Sequence, residues 1–199
     1  MDANELCEVG AIFAESEEYL ICRYSNNDRS LYNLMMDEVY KDTPIQELED
    51  IKNALWKATL SGGSSANFKV IKKESAVYCG DLSIMQLETR TPEIGIHLLE
   101  TFRNQGIGSK VMQLFVDKLK RELDAEYLFI RILKSNYQSQ RLFKKLGAVE
   151  IEAEDQSFVA FMRRMMNELG RERLEEIIGK TYEEMCPEIF CYKIDLCEK

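Results

Sequence analysis

Two glycines within three residues stand at the head of an apolar helical stretch in ETFRNQGIGSKVMQLF, residues 100–115. Glycine costs about 1 kcal/mol relative to alanine inside a helix, so such a pair persists only where other side chains would obstruct something. The stretch joins the strand-like EIGIHLLE to a helix whose Ile107, Val111, Phe115, Leu119 and Leu123 fall four apart on one stripe. A helix N-terminus offers unpaired N–H groups and the positive end of the macrodipole. Glycine there lets the backbone approach an anion with no Cβ in the way. Arg103 adds a cation, and Ser109 and Lys110 lie in the first turn. The chain must therefore build a strand, an anion-holding loop and a helix in direct succession.

Spacing narrows the anion. GIGSK lacks the upstream glycine and the Gly-Lys junction of a Walker loop, and Val111 stands where a dinucleotide fingerprint needs its third glycine. The pattern that remains is R/Q-x-x-G-x-G/A, carried by Arg103, Gly106 and Gly108.

The rest of the chain sets the frame. With 199 residues, 45% hydrophobic and 31% charged, it is expected to form a single domain over 1–199 with a substantial core. A net charge of -9 argues against nucleic acid as the main partner, because phosphate contacts draw on clustered Lys and Arg. The opening MDANELCEVGAIFAESEEYL has neither a basic start nor a long apolar run, so no export signal and a cytoplasmic location are expected. No stretch approaches the length of a membrane span. Six cysteines without a CxxC, and a single histidine, His97, lead us to expect buried reduced thiols and no metal site.

Hydrophobic periodicity supplies the order of elements. A strand is expected at 18–24, then a helix capped by Asn27 or Asp28 and carrying Leu31, Leu34, Met35 and Val39, then a helix over PIQELEDIKNALWKATL. Three strands follow, in NFKVIKK, SAVYCGDLSIMQL and EIGIHLLE. The helix from 107, a strand at 127–133, a helix over SNYQSQRLFKKLG and a strand in AVEIEAE come next. Residues 155–187 suggest a two-helix insertion, with a Met-rich face at Met162, Met165 and Met166, before a last strand in EIFCYKIDL. The alternative makes FVAFMRR the last strand and the remainder a tail. The fold class expected is a mixed, mostly antiparallel α/β sheet of about seven strands with helices on both faces.

The loop RNQGIG resembles the pyrophosphate-binding loop of the GNAT superfamily of acetyl-CoA-dependent N-acetyltransferases, and SNYQSQRLFKKLGA resembles that family's second signature, N-x-x-A-x-x-L-Y-x-K-x-G. The resemblance covers about residues 18–154 and, after the insertion, the last strand. It implies acetyl-CoA as co-substrate and no metal. It implies that backbone amides of Arg103, Asn104, Gln105, Gly106, Ile107 and Gly108 hold the pyrophosphate, with Ser109 at the helix start. It also implies that Leu98 and Leu99 pair with the pantetheine arm and that Asn136 bonds the cofactor. Ser139 stands where alanine is usual. Phe143 stands where tyrosine commonly protonates the departing thiolate, and phenylalanine has no proton to give. Tyr137, six residues earlier, lies roughly 240° around the helix and is no direct substitute.

An amine near pKa 10 needs about 4 kcal/mol to lose its proton at neutral pH, so a base is expected. Glu93 matches the position of a glutamate base in some members of the family and is the first candidate. His97, on the same strand face, is the second, since its ordinary pKa suits the task. Two functions are open: acetyl transfer to a primary amine by direct attack in a ternary complex, or an acyl-CoA-binding module with weak or lost catalysis that acts as a sensor. The acidic balance favours a small cationic or neutral acceptor. The last strand and the insertion are candidate homodimer surfaces.

Overall fold

The computed structural model describes residues 8–41, 45–152, 170–173 and 188–196. Among the described residues eight strands are hydrogen-bonded in the order β1-β2-β3-β4-β5-β6-β8-β7, and the chain divides into two compact units, 1–129 with 195–199, and 130–194.

In the first unit β1 (Ile12–Glu15), β2 (Tyr19–Arg23), β3 (Ser65–Lys72), β4 (Val77–Met85) and β5 (Glu93–Leu98) pair antiparallel in succession. β5 then meets the start of β6 (Tyr127–Leu133) in parallel, at Glu93↔Phe129. The helices are α1 (Arg29–Val39), α2 (Ile45–Ser61) and α3 (Ile107–Glu122). Strand alternation sends Ala66, Phe68 and Val70 to one face of β3, all with no exposed surface. Phe68 meets Phe13 and Phe115 of α3 at ring separations of 4.7 and 5.3 Å. Of the stripe read from the sequence, Leu123 is the extended C-cap of α3 and half-buried, while Ile107, Val111, Phe115 and Leu119 are buried on the helix. Each such side chain contributes about 1.5–3 kcal/mol relative to remaining exposed.

On the other face Tyr24, at the end of β2, stacks edge-on against Tyr32 of α1 and Trp56 of α2. This aromatic group corrects the expected face of α1. Tyr32 and Met36 are its buried residues, Leu31 and Met35 are partly buried beside them, and Leu34 and Val39 are 54% and 45% exposed. The helix turns towards the large rings because they bury more area than Leu34 and Val39 could. Asp28 holds the N-cap position of α1, and its carboxylate accepts from the Ser25 amide at 2.7 Å and from Lys69 at 2.5 Å.

β1 raises the expected strand count by one. It is four residues long and its pairing with β2 is irregular between Ile12 and Ala14, so its sequence has no clean alternation to read.

In the second unit α4 (Tyr137–Lys145) leads into β7 (Val149–Ile151), which pairs antiparallel with β8 (Ile189–Asp195). Gly147, at φ 85°, ends α4: the amides of Gly147 and Ala148 turn back to the carbonyls of Lys144 and Phe143. Cys191, Tyr192 and Ile194 of β8 are buried, and Phe190 is partly buried. The insertion expected at 155–187, and its Met-rich face, lie outside the described residues except at 170–173, of which 171–173 are helical.

Candidate active site

The backbone of β5 has two edges with different tasks. Leu99 N–H donates to the Cys79 carbonyl at 3.0 Å. Antiparallel alternation therefore turns the backbone groups of residues 93, 95, 97 and 99 towards β4, and those of 94, 96 and 98 away from it. On the far side Phe129 N–H donates to Pro92 O at 2.8 Å, but Glu93↔Phe129 is the single register pair between β5 and β6. Ile96 and Leu98 extend past that pair. Leu99, expected to face the pantetheine arm, has its amide on Cys79 and its carbonyl accepting from Phe102 N–H at 2.8 Å.

One 3₁₀ turn, Glu100–Phe102, carries the chain out of β5 into the glycine loop. Arg103 is extended, Asn104 is left-handed at φ 60°, and Gly106 is left-handed at φ 77° as the N-cap of α3. No side chain caps this helix. The amides of Ile107, Gly108 and Ser109 thus have no partner inside α3. Asn104, Gln105 and Gly106 are exposed, and a Cβ added at Gly106 would meet nothing within 4 Å. Left-handed residues alternating with others turn successive N–H groups towards one concavity. The loop fits a diphosphate by this geometry. The glycine is required for its backbone angle, with steric clearance inside the protein playing no part.

Two first-turn and loop cations have other partners. Arg103 Nε donates to Leu98 O at 2.8 Å, and its Nη2 donates to Glu38 of α1. Lys110 reaches Glu18 at 2.7 Å.

The register β4–β5 sets a polar row on one face: Asp81↔His97, Ser83↔Gly95 and Met85↔Glu93. Glu93 is buried, and His97 is half-buried. His97 Nε2 lies 3.5 Å from Glu38 Oε1 without hydrogen-bond geometry. Burial, and then the neighbouring Arg103 guanidinium, hold the imidazole below its ordinary pKa against the opposing pull of Glu38. His97 is therefore neutral at pH 7, able to accept a proton. At Gly95 a Cβ would lie 2.8 Å from Ser83 Oγ, so the absent side chain leaves room for that hydroxyl.

Asp81 is a buried group that sequence reasoning missed. The β3–β4 register passes from Val70↔Gly80 to Ile71↔Tyr78, leaving Cys79 as the extra residue of a bulge. The bulge brings Tyr78 to the side of Asp81, whose Oδ1 accepts from Tyr78 at 2.7 Å and from Tyr24 at 2.5 Å. Burial pushes the Asp81 carboxyl up to about 7 against the lowering effect of both phenols. A lone acid amid YCGDLSIM was the available signal, since a buried carboxyl needs partners.

In the second unit Asn136 Oδ1 accepts from Ser139 N–H at 3.1 Å and so caps α4. Ser139 is half-buried, and Phe143 is buried at 2% exposure. Cys22, Cys79 and Cys191 are buried. Among the described residues there is no helix long and apolar enough to cross a membrane and no group of three or more potential metal ligands.

The family profile described as "Acetyltransferase (GNAT) domain" matches residues 15–149. The fold is similar to spermidine N-acetyltransferase from Vibrio cholerae, solved with CoA and spermine, at TM-score 0.64 and 11% identity over 91% of this chain and 97% of that one. It is similar to a GNAT-family acetyltransferase from Bacillus anthracis at 0.66 and 18%, covering 93% and 99%. RimL, a ribosomal L7/L12 alpha-N-protein acetyltransferase solved with CoA, superposes at 0.65 and 14%, covering 93% and 98%. At these identities the likeness establishes the fold. No curated protein sequence matches the chain. Because the domain match takes in more than half of the 199 residues, the chain belongs to the GNAT acetyltransferase family and is an acyltransferase.

Proposed function

We propose that the protein transfers the acetyl group of acetyl-CoA to a primary amine by direct attack within a ternary complex. The observation that carries this reading is the uncapped start of α3 behind two left-handed loop residues, Asn104 and Gly106, at the end of a strand whose ladder with β6 stops at Glu93. When bound, acetyl-CoA supplies the acetyl group as a thioester, and the products are an acetamide and the CoA thiol.

The chain's own residues do the remaining work. The amides from Asn104 to Ser109 bind the diphosphate. The outward edge of Ile96 and Leu98 aligns the amide-bearing arm, as an added strand would be aligned. Asn136, which caps α4, and the neighbouring Ser139 are the residues the family pattern assigns to the cofactor in the second unit. The polar row of Glu93, His97 and Ser83 faces the acceptor, and Glu93, beside the end of the ladder, takes the proton released by the attacking nitrogen. His97 is the alternative acceptor of that proton. Four residues of strand separate the two by about 13 Å, so a given amine meets one of them directly. Phe143 has no proton to donate, so the thiolate is protonated by water or by the proton the amine releases.

The net charge of -9 and the carboxyl of Glu93 on this face favour a cationic acceptor. A polyamine and a peptide with a free α-amine are the first acceptors to test, because the relatives from Vibrio cholerae and RimL are described with such substrates. The test is thiol release from acetyl-CoA with a panel of amines. Amine-dependent release supports transfer, whereas affinity for CoA without release for any amine contradicts it.

A further inference from the structure

Glu38, near the end of α1, is joined to the β5–α3 connection at several points. Its Oε2 accepts from the backbone amide of Glu100 at 3.0 Å, and its Oε1 accepts from Arg103 Nη2. Arg103 Nε in turn donates to Leu98 O at 2.8 Å. Carboxylate, guanidinium and two backbone groups thus form one closed link between residues more than sixty positions apart in sequence. Among the described residues, Glu38 is the one side chain from another element that hydrogen-bonds the segment 99–108. The segment's other hydrogen bond to an element remote in sequence, among the described residues, is that of Leu99 N–H to the Cys79 carbonyl. Asn104, Gln105 and Gly106 are exposed, Gln105 bonds only within the loop, to Thr101 O at 2.6 Å, and the buried anchor is Ile107.

We propose that Glu38 is a positioning residue for acetyl transfer: through Arg103 and the Glu100 amide it fixes the conformation in which the glycine loop receives its diphosphate. The proposal rests on the acetyl-CoA reading above. It gives Arg103 the role of a strut, with its planar fork already matched to a carboxylate and a carbonyl. Glu38 and Arg103 are only partly exposed, at 23% and 39% of their side-chain surface, so the link is less screened than a surface pair.

The sign of one substitution separates this role from the simpler one. Glu38→Gln removes a negative charge near the loop and releases Arg103. If Arg103 were chiefly a phosphate ligand restrained by Glu38, the variant would bind CoA more tightly. If Glu38 is the brace, the variant binds more weakly despite the gain in positive charge. We expect a loss of about tenfold in CoA affinity by calorimetry, equivalent to 1.4 kcal/mol. Arg103→Met is expected to lose a similar amount, and the double variant no more than the larger single loss, because both break one link. Glu38→Asp keeps the charge, shortens the reach and is expected to weaken binding as well, which covers the case of a Glu38→Gln variant that does not fold. Equal or tighter binding by Glu38→Gln or Glu38→Asp, or losses that multiply in the double variant, overturn the proposal. A wild-type protein that fails to bind CoA overturns this proposal and the functional reading together, whereas intact wild-type binding with unaffected variants overturns this one alone.

Discussion

Gly80 lies so close to His97 that a Cβ on it would fall 2.2 Å from the His97 carbonyl oxygen and 2.7 Å from the Leu98 Cα. Both obstacles are backbone, so neither can rotate away. At φ 144° the glycine also adopts an angle that L side chains rarely accept. This contact brings the bulge of β4 against the end of β5 that carries His97 and leads to the glycine loop. Gly80→Ala is expected to destabilise the fold by about 3 kcal/mol, combining overpacking with backbone strain. Urea unfolding measures this, and a loss under 1 kcal/mol would show that β4 and β5 can separate at little cost.

Asp81 gives the fold a distinct pH dependence. Its folded pKa, about 7, lies above the unfolded value near 3.8, so the native state holds a proton that the unfolded chain releases. This contribution is fully present below about pH 4, declines as pH rises through 7, and is constant above. Asp81→Asn cannot ionise. The stability difference between variant and wild type is therefore expected to move in favour of the variant by about 3–4 kcal/mol between pH 4 and pH 8, at 1.36 kcal/mol per unit. Denaturant unfolding of both proteins across that range measures it. A difference independent of pH would mean that Asp81 stays ionised throughout.

The choice of base has its own signature. Glu93→Gln is expected to reduce kcat by about a hundredfold or more, within the usual range for a lost general base. His97→Ala is expected to have a smaller effect. Because burial and Arg103 hold His97 below its ordinary pKa, a His97-dependent acid limb in kcat/KM would fall below pH 6.5. Abolished turnover in His97→Ala with Glu93→Gln unaffected would reverse the order of the two candidates.

What the sequence reveals depends on how local the cause is. The apolar stripe of α3 and the strands β3 to β5 follow from composition and period within one element, and each is legible. The orientation of α1 is decided by Tyr24 and Trp56, which come from two other elements, so the pattern of Leu31, Leu34, Met35 and Val39 misleads. The site divides in the same way. The glycine loop reads directly from its spacing. Glu38 looks like any charged residue near a helix end, and its value lies in a partner 65 positions away. Asp81 requires a bulge to meet Tyr78, and a bulge leaves no periodic trace.

Gly106 carries the proposed diphosphate site, since its left-handed angle sets the direction of the first amides of α3. Titration of CoA into the wild-type protein and into Gly106→Val, with thermal unfolding of both as a control for folding, tests it directly. Wild-type binding, with a loss of at least about tenfold in a folded variant, is the predicted result. A wild type without measurable affinity, or a folded variant that binds equally well, would contradict it.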